Sequence, residues 1–198
     1  MGVDTGFEDI IADYDATLLA AGCYVSSRLH IPGENLGGVY SGLEFVMNIS
    51  AGKAAKIGKK VAVIGAGFTA FDCARSALRM GAQDVTIFIR GLEEELRVTE
   101  DEVYDAKKEG IKIRGLCLTQ RIVGNHKVQG IEFLRARAGE TGPNGRRTIY
   151  PIEGSNFVFE ADSVIVAIGQ SAEPRSAPGQ KDERGVLLGD TRTFKTST

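Results

Sequence analysis

The stretch over residues 59–81, KKVAVIGAGFTAFDCARSALRMG, constrains the fold of this chain more than any other. It opens with an apolar, β-branched run at residues 61–64, whose length and composition predict a strand buried on both faces of a parallel sheet. Gly65, Gly67 and Ala70 follow at the spacing GxGxxA, and the apolar residues then recur at helical spacing. The sequence therefore predicts a strand, a tight glycine turn and a helix, in that order.

This turn has the residue types that the pyrophosphate of a dinucleotide needs. Gly65 permits a sharp exit from the strand, Gly67 has no Cβ and lets a phosphate approach the backbone, and Ala70 lets the helix pack closely on the strand. The N–H groups of the first helical turn carry partial positive charge, which favours a phosphate there. A plain strand-to-helix turn is the alternative. The predicted cofactor-binding residues of the turn are Gly65, Gly67, Phe68, Thr69 and Ala70.

Length, charge and cysteine spacing narrow the function classes. The chain has 198 residues, enough for one or two domains, and its formal net charge of -2 predicts no nucleic-acid partner. No apolar run approaches the ~20 residues of a membrane helix, so we expect no membrane association. Cys23, Cys73 and Cys117 are widely spaced and form no CxxC pair. This spacing argues against a metal or iron–sulfur site within the chain and favours the reducing cytoplasm.

The remaining apolar segments predict further strands and helices around this unit. Ser41 and Thr99 are the expected N-caps of two helices, since both can accept a hydrogen bond from the first turn. Gly81 and Gly110 are placed to end helices in the left-handed conformation. The predicted strands lie at residues 85–89, 111–113 and 162–167, and the predicted helices at residues 43–57 and 99–109.

The second half of the chain predicts antiparallel structure. Strands at residues 121–123 and 128–134 suit a β-hairpin, and residues 157–160 resemble a short strand. Residues 136–156 are rich in Gly, Arg, Asn and Pro and predict a mobile surface loop, whereas residues 14–20 predict a further strand near the N-terminus. The fold class is therefore α/β, a Rossmann-like parallel sheet that carries an antiparallel β-meander.

The residue after the second strand bears on the choice of coenzyme. In such a fold this position lies beside the adenosine ribose, and an acid there suits NAD. Here it holds Arg90, which suits the 2′-phosphate of NADP through charge-assisted hydrogen bonds. A surface arginine that touches no ligand is one alternative. Another is that a carboxylate from the run at residues 93–95 meets a ribose hydroxyl.

Several stretches resemble one family. Residues 58–91, GKKVAVIGAGFTAFDCARSALRMGAQDVTIFIRG, resemble the nicotinamide domain of the glutamate synthase small-subunit family of flavin-dependent pyridine nucleotide oxidoreductases. Residues 13–22 look like the family's strand before its first crossover, and the segment IPGE with the following Gly38-Val39 looks like the crossover itself. Residues 161–170, ADSVIVAIGQ, look like the return crossover to the flavin domain.

The resemblance implies a domain organisation. Residues 1–57 would be a flavin-domain remnant and crossover, residues 58–168 the NAD(P)H-binding domain, and residues 169–198 a return segment toward the flavin domain. The chain would then be an excised portion that carries partial strands of a truncated flavin domain. Family members continue into that domain, and an upstream iron–sulfur region is common among them.

The resemblance also implies an activity. The parent protein would pass hydride from NADPH or NADH to FAD, while the protein supplies orientation and electrostatics and the portion alone stays inactive. Gly169 and Gln170 would lie near the nicotinamide end. The expected partners are the flavin domain and an iron–sulfur or amidotransferase subunit, with no catalytic side chain and no metal ligand in this chain. A stand-alone nucleotide-binding or subunit-docking domain is the alternative.

The sequence departs from the family's pattern at two positions. Gly91 stands where NADPH-dependent members usually carry a second arginine, and Phe68 stands where the family often has asparagine. The missing arginine weakens the preference for NADPH, and a bulky ring beside the glycine turn could screen the pyrophosphate. The choice between NADP and NAD therefore stays open at this point.

Several further residues are of types that are catalytic in other proteins, but their positions here favour structural or surface roles. Tyr104 and Lys108 form a YxxxK pair, which is catalytic in short-chain dehydrogenases, but here it falls on the helix after the second strand and predicts a surface helix. His30 and His126 lie in predicted loops. Cys73 is expected to be a small packed residue of the first helix.

Overall fold

The structure is a computed structural model, and it describes residues 5–53, 56–143, 145–172, 179–183 and 186–197. The chain divides into two compact units. The larger unit is Ser26–Gly169, and the smaller one combines Met1–Val25 with Gln170–Thr198.

The smaller unit has little regular structure in its described part. Helix α1 spans Phe7–Asp13, and the backbone N–H of Gly6 donates to Asp9 Oδ2 at its start, 3.1 Å away. The strand predicted at residues 14–20 is wrong: no described segment pairs with it, and Leu18 is 90% exposed. An extended segment becomes a strand only by pairing. Strands β1 (Val25–Ser26) and β10 (Gln170–Ser171) are short.

The larger unit is built on a five-stranded parallel sheet in the order β2-β9-β3-β4-β5, which confirms the predicted Rossmann-like architecture. The central strands are buried along almost their whole length, as their continuous apolar sequences predict. These strands are β2 (Val39–Ser41), β3 (Lys60–Ile64), β4 (Asp84–Phe88), β5 (Lys112–Arg114) and β9 (Ser163–Val166).

The first helix of the larger unit is shorter than predicted. Helix α2 spans Gly42–Ser50, and the Ser41 hydroxyl caps it by accepting from the Glu44 N–H. The helix ends before residue 57 because Gly52 takes a left-handed φ of 71°, which closes the last turn.

The next two helices follow the strands as predicted. Helix α3 spans Phe68–Arg79 and helix α4 spans Glu100–Lys108, with a short 3₁₀ turn at Glu93–Glu95 between them. Thr99 caps α4 by accepting from the Glu102 N–H. Gly81 and Gly110 have φ values of 101° and 92°, so both take the left-handed conformation expected of them.

The predicted meander is confirmed and is longer than the sequence suggested. Strands β6 (Cys117–Gly124), β7 (Val128–Thr141) and β8 (Arg147–Glu160) form an antiparallel sheet. The mobile loop predicted at residues 136–156 is wrong, because cross-strand pairs such as Ala138 with Ile149 continue the hairpin through it. We call the outer part of this hairpin, residues 136–143 and 145–151, the hairpin arm.

The two faces of the parallel sheet are covered by different layers. Side chains alternate along each strand, so Val61 and Val63 face the helices while Ala62 and Ile64 face the meander. On the meander side, Phe88 stacks on Phe133 with ring centroids 4.2 Å apart. The helices and the meander thus bury both faces of the sheet and leave its carboxyl edge as the place for a ligand.

Candidate nucleotide-binding site

The glycine turn follows β3 at the carboxyl edge of the sheet. β3 lies between β4, which follows it in the chain, and β9, which comes last, so the chain reverses its direction of strand addition here. Ligands of open α/β sheets bind at such a switch point. The Ile64 carbonyl accepts from the Ala167 N–H at 2.8 Å, which joins the ends of β3 and β9.

Gly65 cannot be replaced at this point without a clash. Its φ is 152°, and an added Cβ would lie 2.2 Å from the carbonyl oxygen of Ala167 and 3.2 Å from the Cβ of Ala70. Its N–H donates to the Phe88 carbonyl at 3.1 Å. The residue is therefore fixed between β4, β9 and the start of α3, which is a tighter constraint than the sharp strand exit expected from the sequence.

Gly67 and its neighbours form the start of α3. Gly67 is the N-cap, and an added Cβ there would meet no protein atom within 4 Å. The space over this residue is therefore open to a ligand. Ala70 is fully buried, and its N–H donates to the Gly67 carbonyl at 2.9 Å. Phe68 is the first residue of the helix and is 52% exposed, with Thr69 next to it.

The segment after β9 reaches the same edge of the sheet. Ala167 contacts the turn at Gly65, and an added Cβ on Gly42, at the start of α2, would lie 2.8 Å from the Ala167 Cβ. Gly169 has a left-handed φ of 123°, and its carbonyl accepts from the Ser27 N–H at 3.0 Å. Gly42 was not predicted as a site residue, because its close approach to Ala167 joins distant parts of the chain.

Two of the predicted cofactor-binding residues, Gln170 and Arg90, are not part of the glycine turn. Gln170 belongs to the smaller unit, where it begins β10 and is exposed. Arg90 belongs to the larger unit and lies two residues beyond the end of β4, where its side chain is exposed at the carboxyl edge of the sheet. Phe88, at the end of β4, is in register with Ile64 at the end of β3. Arg90 therefore follows the strand next to the glycine turn.

The acidic run after Arg90 is held by two basic side chains. Glu93 pairs with the Lys107 ammonium of α4. Glu95 accepts from Nε of Arg147 at 2.7 Å, and Arg147 belongs to the hairpin arm. A ribose contact was one alternative for these three carboxylates; in the structure two of them, on Glu93 and Glu95, pair with basic side chains of the protein.

The side chains set aside from the sequence lie in ordinary environments. Burial raises the pKa of the Cys73 thiol to about 12, and the Asp72 carboxylate adds to the rise. Its Sγ donates to the Gly42 carbonyl at 3.3 Å. Lys108 lies over the ring of Tyr104, 5.9 Å from its centroid, on the exposed surface of α4. The surroundings of the Cys73 thiol and of the Tyr104–Lys108 pair are therefore those of structural residues and not of catalytic ones.

The described residues give two further results on function classes. They contain no group of His, Cys, Asp and Glu side chains that could hold a metal ion. None of the helices in this part of the chain has the length and apolar composition that crossing a membrane requires.

A parallel sheet with a glycine turn at its switch point defines a Rossmann-like α/β protein. Comparison with known families gives the particular group. The chain belongs to the pyridine nucleotide-disulphide oxidoreductase family, whose model matches residues 5–196. The predicted resemblance is confirmed at this level.

Curated relatives are similar along nearly the whole chain. The β subunit of the NADP(+)-dependent formate dehydrogenase of Moorella thermoacetica is 35% identical over 100% of this chain, and the β subunit of the NADPH-Fe(3+) oxidoreductase of Geobacter sulfurreducens is 36% identical over 99%. The glutamate synthase [NADPH] small chain of Escherichia coli is 35% identical over 85%. The chain spans 29%, 30% and 39% of these proteins' own lengths.

Solved structures agree in fold. Mycobacterium tuberculosis FprA in complex with NADPH has a TM-score of 0.77 at 20% identity, covering 92% of this chain and 56% of that one. The thioredoxin reductase of T. acidophilum has a TM-score of 0.62 at 21% identity, covering 88% of this chain and 51% of that one. At these identities the likeness concerns the fold.

Proposed function

We propose that this chain is the nicotinamide-nucleotide-binding module of a flavoprotein oxidoreductase, and that it binds NADPH in preference to NADH. The observation that carries the proposal is the geometry at Gly67, where the backbone begins a helix beside open space at the switch point of the sheet. The pyrophosphate would lie over this residue and accept from the N–H groups of the first helical turn, at Phe68 and Thr69.

The preference for NADPH rests on Arg90. Its guanidinium is exposed at the carboxyl edge of the strand next to the glycine turn, and two of the three following carboxylates are held by other side chains. A guanidinium can donate two parallel hydrogen bonds to a phosphate, whereas a ribose hydroxyl offers no charge to pair with. The names of the relatives, which specify NADP(+) or NADPH, support the same coenzyme.

The hydride would pass to a flavin held by another part of the whole protein. Gly65 and Gly67 are the one GxG pair in this sequence, so a second turn of this type for FAD would come from elsewhere. The bound nucleotide supplies the hydride, and the residues of this chain bind it and orient its nicotinamide ring. We assign residues 58–168 to this binding role, with Gly169 and Gln170 toward the nicotinamide end.

The wider assignments follow from the same proposal. Residues 1–57 and 169–198 would connect the nucleotide domain with the flavin domain. A partner subunit carrying an iron–sulfur centre or an amidotransferase would use the reducing equivalents. The cytoplasm is the proposed compartment, since the three cysteines are free thiols.

Binding of each coenzyme to the 198-residue chain tests the proposal. A ligand present at ~100 times its Kd stabilises a protein by about 2.7 kcal/mol, which for this size raises Tm by about 5–10 °C. We expect this shift with NADPH at a lower concentration than with NADH. The proposal fails if neither coenzyme raises Tm.

The variant Arg90→Ala tests the assigned contact. Loss of a charge-assisted hydrogen bond should weaken NADPH about 10- to 100-fold, while NADH should bind as before. Arg121→Ala is the matched control, because this arginine is also exposed and pairs with Glu132 in the meander. An equal loss of both coenzymes in Arg90→Ala would contradict the role of Arg90.

A further inference from the structure

The segment that carries Arg90 is fixed at its two ends by different means. We call residues 89–98 the coenzyme loop. At its start the N–H of Ile89 donates to the Arg114 carbonyl at 2.9 Å. At its end Leu96 and Val98 pack against the core on the helix side of the sheet. Between these ends the Gly91 carbonyl accepts from the Leu116 N–H at 2.9 Å, and the 3₁₀ turn at Glu93–Glu95 is joined to other elements by the side-chain pairs of Glu93 and Glu95.

The middle of the coenzyme loop is also strongly acidic. Glu93, Glu94 and Glu95 follow Arg90 within five positions, so three carboxylates belong to the same loop as the guanidinium that would receive a phosphate. Carboxylates near a phosphate oppose its binding unless cations neutralise them. The Lys107 ammonium pairs with Glu93. The Arg147 guanidinium pairs with Glu95.

Arg147 is the partner that comes from a separate layer of the molecule. It belongs to β8, in the hairpin arm, whereas the coenzyme loop follows β4 of the parallel sheet. Nε of Arg147 donates to Glu95 at 2.7 Å, and Nη1 donates to the Gly139 carbonyl of β7 at 2.8 Å. The second bond holds the guanidinium in place on its own hairpin, so the arm presents a fixed cation to the loop.

We propose that Arg147 is a positioning residue that sets the preference for a dinucleotide bearing a 2′-phosphate. It holds Glu95 in the coenzyme loop and neutralises its charge, which leaves the Arg90 guanidinium available to the phosphate. This inference rests on the proposed function, in which Arg90 contacts that phosphate. Removal of Arg147 leaves Glu95 as an uncompensated charge that repels NADPH and leaves NADH nearly unaffected.

The test compares the Kd values of NADPH and NADH for the 198-residue chain and the variant Arg147→Gln. We expect the preference for NADPH to fall about three- to tenfold at low salt, the size that suits a partly exposed charge pair. The fall should shrink at ~0.5 M salt, where exposed charges are screened. Arg121→Gln is the matched control. Like Arg147, Arg121 pairs with a carboxylate through its Nε, but that carboxylate belongs to Glu132 of the meander, so the substitution should leave the preference for NADPH unchanged.

Three further variants separate positioning from a general structural role. Glu95→Gln removes the charge that Arg147 neutralises, so this variant should keep the preference for NADPH. The double variant Arg147→Gln with Glu95→Gln should recover the preference that Arg147→Gln alone loses. Arg147→Lys retains the charge and should keep most of the preference, which also provides the test if Arg147→Gln does not fold. Equal, salt-independent losses in Arg147→Gln and Glu95→Gln would overturn the inference.

The outcomes also distinguish this inference from the proposed function. A wild-type chain that binds neither coenzyme overturns both. A wild-type chain that prefers NADPH through Arg90, together with a folded Arg147→Gln variant of unchanged preference at low salt, overturns the role of Arg147 alone.

Discussion

The glycine turn and the hairpin arm show how differently two parts of one unit can be specified. In the turn, Gly65, Gly67 and Ala70 lie within six residues, and protein contacts require Gly65 and the buried Ala70 to be small. In the arm, the pairs Arg137 with Tyr150 and Thr141 with Arg147 join residues across a hairpin whose side chains are mostly exposed. The turn is specified by close steric contacts, and the arm by cross-strand pairing.

This difference has a functional counterpart. The turn is proposed to bind the part of the nucleotide that NADH and NADPH share, whereas the arm contacts the loop that is proposed to distinguish them. Changes in the turn should therefore affect folding or all nucleotide binding, and changes in the arm should have smaller and more selective effects.

The largest expected effect is that of Gly65→Val. The new Cβ would lie 2.2 Å from the Ala167 carbonyl oxygen, and the φ of 152° is strained for any residue with a side chain. We expect a loss of about 3 kcal/mol or more in the free energy of unfolding, measured by urea denaturation. A variant with the wild-type midpoint would show that β9 can move away from the turn, which would remove the constraint inferred here.

Gly67→Ala should separate binding from folding in the same turn. A methyl group there meets no protein atom within 4 Å, so only the poorer capping by alanine at this N-cap position should lower the free energy of unfolding, by about 0.5–1 kcal/mol. The methyl group would occupy the space proposed for the pyrophosphate, and the Kd of both coenzymes should rise about tenfold, or by about 1.4 kcal/mol. Unchanged titrations with NADPH and NADH would place the pyrophosphate elsewhere.

A pH-dependent effect is expected at the far end of the helix that follows the turn. Hydrogen bonds from Arg75 hold the pKa of Glu109 below its usual value, with help from the charge of Arg79. A carboxylate with a depressed pKa adds stability above the unfolded-state pKa and loses it as the pH falls through the folded-state value. Glu109→Gln should cost at most about 1 kcal/mol at pH 7, and urea denaturation should show this difference from the wild type vanishing below about pH 4. If the difference in the free energy of unfolding between the two proteins stays constant down to pH 3, the proposed contribution of the Glu109 carboxylate is contradicted.

The smallest expected effect on global stability lies in the arm. Tyr150→Ala removes the ring over which the Arg137 guanidinium lies, 4.8 Å from the centroid, at a cost of about 0.5 kcal/mol. Amide exchange should become faster in the hairpin arm and stay unchanged in the parallel sheet. Tyr104→Ala is the matched control, since this exposed ring contacts Lys108 on α4. Faster exchange throughout the unit would show that the arm is as integral to the fold as the turn.

The sequence predicted what local chemistry determines. The strand at β3, the caps at Ser41 and Thr99 and the left-handed ends of α3 and α4 were all predictable, because each depends on residues within a few positions of one another. The end of α2 was predicted too late, because the left-handed turn at Gly52 closes the helix before residue 57.

What the sequence did not predict depends on distant partners. Residues 136–156 contain turn-forming residues, and their alternation is hidden because most of their side chains are exposed on both faces. The strand predicted at residues 14–20 has the composition of a strand but no described partner. In the candidate site, the contact of Gly65 with Ala167 and the pairing of Glu95 with Arg147 each join distant parts of the chain.

The position of β9 has a consequence for how this unit folds. β9 is the last of the five parallel strands in the chain, yet it lies between β2 and β3, which were synthesised long before it. Until Ser163–Val166 arrives, β2 has no neighbour in the sheet and one edge of β3 stays unpaired, open to pairing with other chains. Sheets that wait for so distant a strand form slowly, and the synthesis of these four residues therefore sets when the nascent unit can close.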